Sequence, residues 1–476
     1  MKAWTGAAGS RRQGVHYERL TATDATFLRI ETPHEPQHVG SLSVLEGAAL
    51  RDEAGRVRFD DLRNHVARRL HRVPRLRHRI MEVPYDQGRP VWIDDDHFDI
   101  DYHVRLTSLP RPGDDEQLSA LMARLQSLPL DRARPLWEMW FVDGLAGDEV
   151  GLIIKTHHSL GDGIANVDLA LALIDLERHP AGDDDPPRWR PRPAPSPRRL
   201  LADSVTDQLG RPARLARSMG RTCRDPRPAI TTTVNALKTA TNFLVQPEPT
   251  SWNKAVSPHR RWVHADVPIE LAQATKEHLS VTLNDVILAA CSGALRDFLI
   301  EHDDGVDGRV LKAMVPVSLR GAHEHGNTLG NLVSMIVVDL PVHESDPVKR
   351  VQTIHRITSE LKGSGLVDGA QTIIELADAI TPFAIPLTRF VTRRIPMNLV
   401  ITNIPGPPMP LYLLGAQVLR TYPYVEVVDR EGLTIAVVSY EGHLFFGLTS
   451  DRDVVPDLAR IAAGIEDHFR LLSDAT

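Results

Sequence analysis

Cysteine is almost missing from this chain: Cys223 and Cys291 are the only two in 476 residues, and they lie far apart. A disulfide framework is thereby excluded as the main source of stability, and a cysteine-based metal site nearly so. The scarcity fits a reducing compartment. No uninterrupted apolar run approaches the ~18 residues of a membrane-spanning helix, so any membrane contact would be peripheral. Met1 to Leu20 is polar, carries Arg11 and Arg12, and lacks the apolar core of a secretory or twin-arginine signal. Charge of one sign is also missing. The 55 basic and 62 acidic residues give −7, spread over both signs. That is unlike the concentrated basic field of a nucleic-acid binder, and no nucleic-acid partner is expected. Aromatic residues, at 5%, are too few to suggest a site of stacked rings. A cytoplasmic protein is expected, at most peripheral to the inner face of a membrane.

What is present is ordinary globular material, 42% hydrophobic and 25% charged. The length exceeds what one hydrophobic core usually supports, which predicts two domains. Val39, Leu42 and Val44 mark a strand over 39–45. Leu62, Val66 and Leu70 mark one face of a helix from Asp61 to Val73, stopped by Pro74. Another helix is predicted over 114–128. Trp137 to Val142 and Val150 to Ile154 read as two strands joined by the turn Gly144–Asp148, and a helix is expected after the second.

From about 180 the composition turns to Asp, Pro and Arg, a stretch read as an exposed crossover with a partly helical piece at roughly 200–245. A second half begins near 258. Thr282 to Asp285 opens a helix with Ile287, Ala290, Ala294 and Phe298 buried. Strands are expected at 311–317, 332–340 and 398–402, then a hairpin turning at Glu441-Gly442, and a terminal helix from Pro456. Strands mixed with helices in both halves give an α/β (α+β) fold. The predicted divisions are 1–180, a linker at 181–257, and 258–476.

The most informative segment is His157-His158-Ser159-Leu160-Gly161-Asp162-Gly163, which leaves a strand and enters a glycine-flanked turn. Imidazole is the natural group to take a proton from an alcohol near neutral pH. Bland readings compete: a histidine pair at a strand end is more often structural, and Asp162 would serve as an N-cap. His158 and Asp162 also have metal-pair spacing on a helix, but Gly161 and Gly163 argue against a helix and no third ligand is evident. His157-x4-Asp162 matches the motif of glycerophosphate acyltransferases, without that family's proline–glutamate–glycine block.

The segment resembles the signature of the bacterial wax ester synthase/diacylglycerol acyltransferase family, within the chloramphenicol-acetyltransferase-like superfamily. The signature alone would also suit peptide-synthetase condensation domains and polyketide-associated acyltransferases. Further stretches match the narrower family in order: Leu20-x2-Thr23-Asp24-Ala25-x-Phe27-Leu28, His38-Val39-Gly40, Pro129-Leu130-Asp131, Arg134-Pro135-Leu136-Trp137-Glu138, Val281-x2-Asn284-Asp285-Val286, Pro316 to Arg320, Gly330-Asn331, and Thr402 to Pro407. They cover about residues 16 to 472.

The resemblance implies two chloramphenicol-acetyltransferase-like domains with mixed sheets flanked by helices and a tunnel at their interface. It implies direct transfer of a long-chain acyl group from acyl-CoA to diacylglycerol or a fatty alcohol, with no permanently bound cofactor and no metal. His158 would be the base, His157 a support, Asp162 a loop anchor paired with an arginine, and Gly163 a backbone requirement. Asn284 would stand near the reacting centre. Asp285 competes with a simpler role, because Thr282-x-x-Asp285 is a capping box. Pro135, Leu136 and Trp137 would pack beneath the site, and Ser318, Arg320 and Asn403 are candidates for oxyanion or CoA contacts. The apolar stretch 373–391 would line an acyl channel, touch a membrane, or form a core helix. Two alternatives stay open: the same fold acting on a polyketide-type or peptide-type hydroxyl or amine, and a lipid binder without turnover.

Overall fold

The computed structural model describes residues 17–161, 173–180, 185–207, 247–318, 333–363 and 397–476. In the first half the strands are β1 (Glu18–Arg19), β2 (His38–Glu46), β3 (His78–Met81), β4 (Val91–Asp94), β5 (Val104–Ser108), β6 (Trp137–Asp143) and β7 (Glu149–His157). Between them lie α1 (Ala22–Ile30), α2 (Phe59–Arg69), the single turn α3 (Ile100–His103) and α4 (Asp115–Ser127). The second half carries β8 (Arg260–Pro268), β9 (Leu311–Ser318), β10 (Val333–Leu340), β11 (Leu399–Pro405), β12 (Tyr412–Leu413), β13 (Ala416–Val425), β14 (Leu433–Tyr440) and β15 (His443–Asp451). Its helices are α5 (Ile269–Leu279), α6 (Leu283–Glu301), α7 (Pro347–Gly363) and α8 (Leu458–Asp474).

Among the described residues these strands build two six-stranded mixed sheets, ordered β12-β13-β2-β7-β6-β5 and β10-β9-β11-β14-β15-β8, besides a small β1-β4-β3 sheet. Each large sheet backs its own apolar core. The first gathers Leu42, Leu45, Phe141 and Ile153, and the second gathers Ile287, Leu295, Ile435 and Phe446. One feature ties the halves together. β11 and β14 are parallel neighbours in the second sheet, and the chain between them leaves to pair β13 antiparallel with β2 of the first. Ser43 and Thr421 join hydroxyls across that seam at 3.0 Å.

Several predicted elements shift at their ends. α2 stops at Arg69 and continues as tight turns through Arg77, with Pro74 opening the second turn instead of ending the helix. α8 begins at Leu458, because Asp457 has non-helical backbone angles (φ −99°, ψ 36°). The proline-rich crossover is less detached than its composition suggests. Arg192 binds Asp94 through its backbone N–H at 2.8 Å and its guanidinium at 2.9 Å, and Leu200 packs on Val91 and Ile93. Its helix is described only as far as residue 207; the rest of 200–245, the helix expected after the histidine pair up to residue 172, and 373–391 lie outside the described residues. Among the described residues, no single helix is long and apolar enough to cross a membrane.

Candidate active site

β7 lies between β2 and β6, and its last residue, His157, stands opposite His38 of β2. The chain leaving the strand is pinned from both sides: His157 N–H donates to the Leu136 carbonyl (3.0 Å) and His158 N–H to the Gln37 carbonyl (2.8 Å). The backbone of the Pro135-Leu136-Trp137 block therefore fixes where the histidine pair emerges. Pro135, Leu136 and Trp137 are themselves buried. The Trp137 indole donates to the Leu76 carbonyl (2.8 Å) and stacks on His103, so its side chain is engaged in packing.

The two histidines face different surroundings. His157 is 1% exposed. Its Nδ1 accepts from Ser159 N–H at 3.0 Å, which leaves the proton on Nε2, 3.5 Å from Glu31 Oε1. Glu31 also accepts from Arg132 Nε (3.0 Å) and Gln37 N–H (3.3 Å), and lies 3.7 Å from His38 Nε2. Burial pushes the Glu31 pKa upward, but His157, Arg132 and His38 more than offset it, leaving the carboxyl at about 2. His38 donates from Nδ1 to the Gln126 carbonyl (3.1 Å), and burial, with Lys155 and His157 adding to it, depresses its pKa well below the ordinary imidazole value. Buried Lys155 holds the end of α4 through the carbonyls of Leu125 and Leu128, and burial lowers its pKa to about 8.

Gly40 of the His38-Val39-Gly40 motif has a steric reason. A Cβ there would sit 2.1 Å from the Ile154 carbonyl oxygen and 2.6 Å from Gln126 Nε2, where the Gln126 amide bonds that same carbonyl.

His158 is different: its side chain is 18% exposed. Its ring stacks flat on Phe27 of α1, centroids 3.9 Å apart and planes within 6°. Phe27 belongs to the opening motif, whose Asp24 closes a capping box with Thr21 at the start of α1. The helix that orients Phe27 is thus locally encoded. On its other side, His158 Nε2 lies 4.0 Å from Oε1 of Glu426, a nearly buried residue just after β13.

Asn284 and Asp285 open α6. Asn403 of β11 donates to Asn284 Oδ1 at 3.5 Å, so two of the predicted site residues meet. Asp285 is fully buried and engaged: it accepts from Thr282 N–H (2.9 Å), Thr358 hydroxyl (2.7 Å) and His355 Nδ1 (2.7 Å). Burial tends to raise its pKa, and these partners hold it below the usual carboxylate value. It carries the helix start and ties α6 to α7. Ser318 ends β9, while Asp162, Gly163, Arg320 and Gly330-Asn331 lie outside the described residues. Glu31, Arg132 and Glu426 are the polar neighbours that sequence reasoning did not single out.

The sequence profile described as the wax ester synthase/diacylglycerol acyltransferase catalytic domain matches residues 20–287, and that of the WS/DGAT C-terminal domain matches residues 329–473. The Mycobacterium tuberculosis protein named "Probable diacyglycerol O-acyltransferase tgs1" is 32% identical over 466 residues, covering 94% of each chain. The solved wax ester synthase/diacylglycerol acyltransferase from Marinobacter aquaeolei VT8 aligns with a TM-score of 0.66 at 25% identity, covering 96% of this chain and 99% of that one. The first condensation domain of the calcium-dependent antibiotic synthetase shares the fold, with a TM-score of 0.63 at 16% identity, covering 96% of this chain and 97% of that one. The two mixed sheets, the pinned histidine pair and these matches lead to one conclusion: the chain belongs to the wax ester synthase/diacylglycerol acyltransferase family, enzymes that transfer acyl groups to lipid alcohols.

Proposed function

We propose that this chain transfers a long-chain acyl group from acyl-CoA to diacylglycerol, to a fatty alcohol, or to both, with His158 as the general base. The observation that carries this reading is the placement of His158. Its backbone is fixed at a strand end, its ring is clamped by Phe27, and it is partly open where its buried neighbour His157 is not. In the proposed step the acceptor hydroxyl gives its proton to His158 as its oxygen attacks the thioester carbonyl. The C–S bond breaks as the tetrahedral intermediate collapses, and the CoA thiolate takes the proton back. Base catalysis of this kind contributes ~10²–10⁴-fold, and the remainder comes from positioning the two substrates and stabilising the oxyanion.

His157 supports the loop through Glu31. Asn284, held by Asn403, is assigned to the reacting centre, and Ser318 and Arg320 to CoA or oxyanion contacts. Asp162 and Gly163 are assigned to the loop's geometry. Access to a lipid acceptor would be peripheral, at a membrane or lipid-inclusion surface.

The test is to incubate the purified chain with palmitoyl-CoA and follow free thiol with hexadecanol, with a diacylglycerol, and without acceptor. Alcohol-dependent release with an ester product by mass supports the reading and ranks the acceptors. Acceptor-independent release would make the chain a thioesterase, and release with neither alcohol would move the assignment to a different acceptor class.

A further inference from the structure

We propose that Glu426 is a positioning residue for His158: its carboxylate, delivered by the strand that the second half lends to the first sheet, stabilises the imidazolium formed when the acceptor gives up its proton. This inference rests on His158 being the base.

The geometry is specific. Oε1 stands 4.0 Å from His158 Nε2, and the Glu426 side chain is 7% exposed. The other oxygen, Oε2, is buried and has no hydrogen-bond partner among the described residues. Leaving a buried carboxylate oxygen unbonded is costly, so a position that keeps one calls for a reason. The backbone around it is fixed: the Glu426 carbonyl accepts from the Thr434 hydroxyl at 2.9 Å, which ties the end of β13 to β14.

The titratable groups around it are mostly acidic. Glu426 acts on Glu431 together with Glu35 and Asp429, Glu31, which pairs with His157, acts on Glu426 itself, and Arg260 of β8 acts on Tyr424, two residues before Glu426. Burial pushes Glu426 above the usual carboxylate value, while proximity to His158 opposes that. Burial and the neighbouring carboxylates take Glu431 up to about 8. A charge so poorly solvated is most favourable when a cation forms beside it, and the imidazolium of the transfer step is such a cation. The proton passes from the acceptor oxygen to the His158 imidazole and then to the CoA sulfur, and Glu426 neither gains nor loses one.

The experiment uses the full chain carrying Glu426→Gln, which keeps size and removes charge. Acceptor-dependent thiol release from palmitoyl-CoA is followed across pH, beside a thermal melt. An opposite charge at this range shifts a titration by about one unit or more. We therefore expect kcat to fall by about tenfold and the acid limb of the pH profile to move about one unit lower, with KM for palmitoyl-CoA and the melting temperature little changed. A purely structural Glu426 would leave the acid limb in place, and an unchanged limb or unchanged kcat overturns the proposal. Should the glutamine variant fail to fold, Glu426→Asp supplies the same readout. It withdraws the charge by one methylene, so a smaller shift in the same direction is expected, and no shift overturns the proposal. An active His158→Ala would remove both readings, whereas an inactive His158→Ala beside a wild-type-like Glu426→Gln removes only this one.

Discussion

Replacing Glu31 by Gln removes one negative charge from the cluster that holds His157, and the structure supplies the size of the effect. Burial raises the Glu31 pKa, but His157, Arg132 and His38 bring it to about 2, against 4.5 for the free side chain. Each unit is worth about 1.4 kcal/mol, so the folded state gains roughly 3 kcal/mol from ionised Glu31 at neutral pH. The side chain is only 8% exposed, so solvent screening removes little of that. Because the folded pKa is depressed, the contribution is fully present above the unfolded value near 4.5 and fades as pH falls toward 2. Urea unfolding of Glu31→Gln and the parent chain should therefore differ by roughly 3 kcal/mol at pH 7 and by about half that at pH 3. Equal stability at pH 7, or a gap that does not shrink in acid, would refute the assignment of Glu31 as the anchor of His157.

Two other substitutions separate support from chemistry. Asp285→Ala strips the partner from Thr282 N–H, Thr358 and His355. It should cost roughly 3 kcal/mol in denaturant unfolding, and the loss of activity per folded molecule should be the smaller effect. A fully stable but inactive variant would instead make Asp285 part of the reaction. Trp137→Phe leaves the buried Leu76 carbonyl without its indole donor and should cost about 1–3 kcal/mol with kcat within a few-fold of the parent chain. A large fall in kcat at unchanged melting temperature would move Trp137 from packing into the site.

Local chemistry was legible in the sequence where one segment determined its own structure. The i, i+4 apolar spacing of Leu62 and Val66 gave a helix face, the two strand-like runs around the Glu441-Gly442 turn gave the β14–β15 hairpin, and Thr282-x-x-Asp285 gave the observed capping box. The histidine pair was legible because both residues and the strand leading to them are contiguous. α1 was not: at nine residues it is short, and its signal is a capping pair with little apolar periodicity. Longer-range relations were also hidden. Nothing around Tyr424-Val425-Glu426 announces that β13 joins the sheet of the first half, since a strand's partner is set by the topology it completes and not by its own pattern. Glu426 consequently reaches His158 from the end of a strand that the sequence reading did not assign. Glu31 and Arg132 escaped for a related reason: each is an ordinary surface-type charge until the fold sets the Glu31 carboxylate between Arg132 and His157.

The central claim is that His158 removes the acceptor's proton, and acceptor-dependent thiol release by His158→Ala tests it most directly. The account predicts a fall of ~10²-fold or more in kcat with the melting transition unmoved. A folded His158→Ala that turns over palmitoyl-CoA and alcohol at the parent rate would contradict it.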